Sequence, residues 1–282
     1  MTKDPETEEF MMVIEFASKG SLSNILSNDF NNLLWKDKIK MLYHLTMDFK
    51  VLHKLRYFHQ DFHSGNILKK SDDSTYISDF GLSGPANKQK SDDKIYGVLP
   101  YIAPEVLNRE PYTLSSDVYS FGIIMTELSS GKPPFYYKKH DLNLALDICN
   151  GLRPEFGEGT PEVYKKLAYK CMNANPEQRP TVGELYDVLG FWYDSLESYQ
   201  NKVIFGYKGK EIKLIFKKAD KEIRNISTSY EKDADAIYTS RAFTFSDLPK
   251  PVNSTIITSY LNDDEGTVSR LCINFLKYFY NC

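Results

Sequence analysis

Three short stretches hold the residues whose types and spacing could do chemistry. They are His59-Gln60-Asp61-Phe62-His63-Ser64-Gly65-Asn66, then Asp79-Phe80-Gly81, then Ala103-Pro104-Glu105. Aspartate and asparagine supply hard oxygens of the kind that hold small divalent cations, and an aspartate can also take a proton from a hydroxyl. The plainer alternative is that each acidic residue caps a helix or closes a turn. Cysteine offers no competing chemistry. Cys149, Cys171, Cys272 and Cys282 form no CxxC pair and share no metal-ligand spacing with histidine. Free buried thiols are expected rather than zinc or a disulfide framework.

The elements that must position these residues can be read from periodicity. Residues 10–16 form an apolar, strand-like run that ends in the turn-forming Ser18-Lys19-Gly20. The strongest helix is predicted over 35–55, where Ile39, Leu42, Leu45, Phe49 and Leu52 recur at spacings of three and four. Short strands are predicted near 67–68 and 75–78, joined by a turn at 71–74. Four helices follow, over 115–129, 141–150, 161–172 and 181–193. Thr181 and Glu184 have the spacing of a capping box at the start of the last.

Beyond about residue 195 the composition becomes polar. Residues 208–222 read as a solvated helix and 225–270 show little periodicity. Residues 197–282 are therefore expected to be a largely disordered tail. The fold class is mainly α with a few short β-strands. Lys plus Arg number 35 against 38 Asp plus Glu among 282 residues, a net charge of −3. No strong positive field exists to gather nucleic acid or anionic lipid. Residues 1–9 are acidic and polar, unlike a secretory leader, and no apolar run approaches the ~20 residues of a membrane span. A cytoplasmic location is expected.

In their order, the three stretches resemble the catalytic loop, metal-binding loop and end of the activation segment of the protein kinase family. Two further matches are Ser116-Asp117-Val118-Tyr119-Ser120-Phe121-Gly122 and Asn175-Pro176-Glu177-Gln178-Arg179-Pro180. The resemblance makes residues 10–196 a kinase-like domain, a helical large lobe with its hinge, after a stub at 1–9. It implies ATP-dependent phosphoryl transfer to a protein substrate, chemistry that needs positioning and charge neutralisation more than covalent help. By that resemblance Asp61 receives or orients the acceptor hydroxyl proton, and Asn66 and Asp79 hold the Mg²⁺ that bridges the ATP phosphates. Ile14 becomes the gatekeeper. The backbones of Glu15 and Ala17 meet adenine, and Leu68 packs beneath the ring. Glu105 and Arg179 are expected as a buried ion pair, Asp117 as a clamp on the catalytic-loop backbone, and His59, Phe80 and Gly81 as structural residues.

Several positions depart from the family pattern. His63 stands where serine/threonine kinases usually carry a lysine for the transferred phosphate, and an imidazole reaches less far. Gly65 stands where tyrosine kinases carry an arginine, so the sequence resembles the tyrosine-kinase-like serine/threonine branch. Val98 replaces a usual threonine in Gly97-Val98-Leu99-Pro100-Tyr101. Gln60 replaces the arginine that receives an activation-loop phosphate, so phosphorylation of Ser83, Ser91 or Tyr96 is not expected to act by that route. No G-x-G-x-x-G and no V-A-I-K motif occurs in the chain. On this reading the chain is a truncated kinase, inactive alone, whose upper face around Ile14, Leu68 and Phe80 is uncovered and open to a partner or a second copy. The alternative is a non-catalytic kinase-like module that binds another protein.

Overall fold

The computed structural model describes residues 2–3, 6–7, 10–11, 16–71, 74–85, 94–198, 203–204 and 206–262. Its first elements are the antiparallel strands β1 (Thr2–Lys3) and β2 (Phe10–Met11), followed by helix α1 (Leu22–Asp29). Helix α2 (Trp35–Lys54) buries Trp35, Ile39, Leu42, Leu45 and Phe49, the stripe that its three-and-four spacing requires. Strands β3 (Tyr57–Phe58), β4 (Ile67–Ser71), β5 (Ser74–Ile77), β6 (Gly84–Pro85) and β7 (Ile95–Gly97) follow. Among the described residues all of the ladders are two-stranded and antiparallel; β4 pairs with β5, and β3 with β6.

The second half is helical: α3 (Pro104–Leu107), α4 (Leu114–Ser130), α5 (Leu142–Cys149), α6 (Glu162–Cys171) and α7 (Val182–Glu197). Helix α4 is buried on all sides from Ser116 to Ser130, which marks it as the central helix of the core. It ends at Gly131, where φ is +70° and a Cβ would come within 2.6 Å of the Phe30 ring, so both conformation and space require glycine there. Helix α7 packs along α2, with the Tyr43 ring on Tyr193 at 5.6 Å and its hydroxyl 3.0 Å from that of Tyr186. Thr181 and Glu184 form their capping box: the Thr181 side chain accepts from the Glu184 N–H at 3.2 Å and Glu184 accepts from the Thr181 N–H at 2.7 Å. The result is a mainly helical domain with a few short strands, a fold like the helical lobe of a kinase.

The expectation of a largely disordered tail needs correction over 203–204 and 206–262. This segment holds the β8 (Val203–Ile204) and β9 (Tyr207–Lys208) hairpin, α8 (Gly209–Asp220), β10 (Arg241–Phe243) and α9 (Thr255–Asn262). The lysine-rich α8 is amphipathic rather than solvated all round. Its Ile212, Phe216 and Ala219 share one buried face, and the Phe216 ring lies 5.6 Å from Trp35 and 5.4 Å from Trp192. At its end Asp220 accepts the Trp35 N–H at 2.8 Å, satisfying one of the free donors at the start of α2. Near α9, Asn253 accepts the Ala174 N–H at 2.8 Å and Tyr260 donates to Glu162 at 2.7 Å. Residues 263–282, the rest of the expected tail, lie outside the described residues, as do Cys272 and Cys282. Cys149 and Cys171 are buried free thiols.

Candidate active site

The loop between β3 and β4 carries the first constellation, and its backbone is held from three sides. From the first turn of α4, the Asp117 carboxylate accepts the N–H groups of His59 at 2.9 Å and Gln60 at 3.2 Å, and meets His53 Nε2 at 3.2 Å. Gln60 sits at φ +69°, the sharp turn that both contacts require. His59 bridges loop and strand. Its Nε2–H donates to the Ser78 carbonyl at 3.0 Å, which leaves Nδ1 to accept the Asp61 N–H at 3.3 Å. Burial pulls its pKa below the usual value and so favours the neutral ring that this pattern needs.

The Asn66 side-chain amide donates to the carbonyl of Asp61, five residues earlier, at 3.0 Å, closing the loop on itself. The Asn66 carbonyl in turn accepts from the Ser78 N–H at 2.8 Å and the Ser78 hydroxyl at 2.9 Å. Ser78 directly precedes Asp79. Asp61, Asn66 and Asp79 are thus brought to one edge by three short hydrogen-bonded links rather than by sequence alone. Beneath the loop, the buried Glu127 of α4 accepts from Ser64 at 2.9 Å and from Tyr101 at 2.7 Å.

The Asp61 carboxylate is buried, and its Oδ1 has no hydrogen-bond partner. Gly97, at φ +139°, stands over Oδ1, where an added Cβ would lie 3.5 Å away. Oδ2 accepts the hydroxyl of Ser240, and His63 Nε2 approaches it to 3.7 Å. Burial pushes the Asp61 pKa up. The His63 and Ser240 contacts and the neighbouring imidazoles outweigh it and hold the group below the usual aspartate range.

Asp79 is exposed at φ +60°, and its Oδ1 accepts the Gly81 N–H at 3.3 Å. A Mg²⁺ ion fits the donor chemistry. Asn66 has its side-chain nitrogen committed to the Asp61 carbonyl, and its side-chain oxygen and the exposed Asp79 carboxylate are both hard oxygen donors. Among the described residues no cluster of three or more His, Cys, Asp or Glu offers a rival metal site.

Of the expected adenine contacts, Ile14 and Glu15 lie outside the described residues, as does Ser91. Ala17 is half-buried and its carbonyl accepts the Gly20 N–H at 3.0 Å. The following residues pair with β4: the Lys19 N–H donates to the Lys69 carbonyl at 3.1 Å, and Ser21 bridges to Leu68. The Ala17 turn is thereby anchored beside the strand that carries the half-buried Leu68. Phe80 is 53% exposed, its ring 5.1 Å from His59. Away from this edge, Arg179 grips Glu105 through both guanidinium ends, at 2.7 and 2.6 Å, in a buried pair.

Sequence reasoning missed Ser240, and with it Glu127, Ser64 and Tyr101. One signal for the Ser240 segment was present. Buried Phe243 and Phe245 alternate with exposed Ala242 and Thr244, the two-residue period of a strand.

A family profile of protein tyrosine and serine/threonine kinases matches residues 2–189, and the chain belongs to that family. It is 30% identical over 181 residues to a probable serine/threonine-protein kinase of Dictyostelium discoideum, covering 64% of this chain and 11% of the relative. It is 33% identical over 188 residues to a protein described as a serine/threonine-protein kinase/receptor of Acanthamoeba polyphaga mimivirus, covering 64% and 11%. A second probable serine/threonine-protein kinase of Dictyostelium discoideum is 31% identical over 193 residues, covering 63% and 23%. The chain thus spans less than a quarter of the length of each. No helix among the described residues is long and apolar enough to cross a membrane.

Proposed function

We propose that this chain carries the catalytic-loop side of an ATP-dependent protein kinase of the tyrosine-kinase-like serine/threonine branch. The observation that carries this reading is the Asp61 carboxylate. It is buried and held low in pKa, one oxygen has no partner and the other accepts a serine hydroxyl. A structural aspartate at this depth would have both oxygens satisfied. Asp61 orients the acceptor hydroxyl and receives its proton, and the Asp117 and His59 contacts hold it in place. Asn66 and Asp79 are the residues that would hold Mg²⁺, which would offset the charge of the ATP phosphates. His63 flanks the acceptor position. Ile14, Glu15, Ala17 and Leu68 are the proposed adenine contacts.

A second reading, a non-catalytic kinase-like module that binds a protein, is favoured by the exposed Phe80 and by the residues at Gln60, His63 and Val98. The catalytic reading sets aside the expectation that the chain is inactive alone, and one experiment separates the two readings. The chain is incubated with Mg-ATP and a degenerate Ser/Thr/Tyr peptide library, beside Asp61→Asn and Asp79→Ala variants shown to be folded. A kinase transfers phosphate to the library, and Asp61→Asn slows that transfer by roughly 10²–10⁴-fold. Transfer unchanged by either substitution, or no transfer at all, would sink the catalytic reading.

A further inference from the structure

The segment that delivers Ser240 to Asp61 is built like a bound acceptor peptide. Strand β10 runs antiparallel to β7, with Arg241 opposite Gly97, Ala242 opposite Tyr96 and Phe243 opposite Ile95. Ser240 is the residue just before this ladder, and its hydroxyl donates to Asp61 Oδ2. Downstream, the rings of Phe243 and Phe245 are buried together 5.4 Å apart, and the Phe245 carbonyl accepts from Arg109 Nε at 2.9 Å. Upstream, the Ile237 carbonyl accepts from His140 Nδ1 at 2.9 Å, and the Tyr238 hydroxyl donates to the Pro134 carbonyl at 2.9 Å. The Arg241 guanidinium donates to the His140 carbonyl. The segment is therefore fastened on both sides of one exposed serine.

We propose that residues 237–245 are the intrachain acceptor strand of this site and that Ser240 is the hydroxyl it phosphorylates; the proposal rests on the kinase reading above. Extended backbone suits the task. It pairs with the edge of β7 through main-chain hydrogen bonds, while alternate side chains fill pockets and the hydroxyl stands out toward the carboxylate. In the transfer, Ser240 Oγ bonds to the γ-phosphorus of ATP as the bond from that phosphorus to the β,γ-bridging oxygen breaks. ADP leaves with the electron pair, and the Ser240 proton passes to Asp61. Substrate chemistry follows from the same contacts: a hydroxyl residue followed by aromatic residues three and five positions later. Because the strand is tethered, its effective concentration is on the order of mM, and a separate protein substrate must displace it. The product carries a phosphate of about −2 charge against the Asp61 carboxylate, a repulsion that expels the strand and opens the β7 edge.

Two readouts on the full chain test this. Site-resolved mass spectrometry after incubation with Mg-ATP and the peptide library is expected to find phosphate on Ser240, absent in Asp61→Asn. Phosphate on the library, or on Thr239 or Thr244, with none on Ser240 overturns the acceptor proposal and leaves the kinase reading standing. No phosphate anywhere overturns both. Independently of nucleotide, hydrogen exchange at residues 95–97 and 241–243 is expected to be protected in the unmodified chain. Ser240→Glu, which sets two carboxylates together, is expected to cut that protection at least tenfold while α4 and α7 stay protected. Equal protection in the two proteins overturns the seating of the strand.

Discussion

Arg179 and Glu105 are bound to each other end to end, Nη1 to Oε1 at 2.7 Å and Nη2 to Oε2 at 2.6 Å, inside the protein. The same guanidinium donates to the Asn173 and Ser115 carbonyls at 2.8 and 2.9 Å. One side chain thus joins α3, the start of α4 and the turn before α7. Arg179→Met would leave the Glu105 carboxylate buried without its partner, at a cost of about 3–5 kcal/mol. Urea unfolding measures it, and a loss under about 1 kcal/mol would show that the pair is not what ties these elements together.

Glu127 predicts a pH dependence with a defined sign. Burial, only partly offset by the Tyr101 and Ser64 hydrogen bonds, pushes its pKa up from 4.5 to about 7. The folded state therefore holds a proton that the unfolded chain has released between those values. Its contribution is fully present below pH 4.5 and is lost as pH rises to about 7, on the order of 3 kcal/mol in all. Glu127→Gln keeps a hydrogen-bonding side chain and should flatten this part of the stability–pH curve. A curve of unchanged slope between pH 4.5 and 7 would remove Glu127 as its source.

Lys38 predicts the opposite slope in a different window. It is fully buried, with Nζ 4.0 Å from the Phe30 ring centre and 5.0 Å from that of Trp35, and without a hydrogen-bond partner. Burial lowers its pKa from 10.5 to about 7, against the pull of Asp220 and Asp37. The unfolded chain binds the extra proton between pH 7 and 10.5, so stability rises with pH across that range. Lys38→Met keeps the length of the side chain and removes the ammonium. It should raise the melting temperature by several degrees at pH 7. An unchanged or lower melting temperature would mean that the ring contacts of the ammonium outweigh its burial.

The C-terminal segment should behave as part of the core. Phe216→Ala removes a ring buried between Trp35 and Trp192 and is expected to cost about 3–5 kcal/mol. Leu214, 60% exposed on the same helix, should tolerate alanine within about 0.5 kcal/mol. Equal, small effects at both positions in chemical denaturation would return α8 to the status of a solvated appendage.

What the sequence determined alone was whatever depends on near neighbours. The apolar stripe from Ile39 to Phe49 specifies α2, Thr181 and Glu184 specify the start of α7, and the spacing of Asp61 to Asn66 specifies a loop short enough for Asn66 to close on Asp61. The kinase-family motifs belong to the same class of signal, since each is a run of a few residues in a set order. Tertiary structure alone decided which faces meet. Nothing in the lysine-rich 208–222 stretch says that Phe216 finds a slot between two tryptophans, because amphipathicity specifies a buried face and not its partner. The alternation at 242–245 announces a strand but not the β7 edge that receives it. Ser240 and Asp61 lie 179 residues apart, and their hydrogen bond exists only because the chain wraps back across the helical core. The burial of Lys38 and the raised pKa of Glu127 were equally invisible, since desolvation is set by everything packed around a group rather than by its place in the chain.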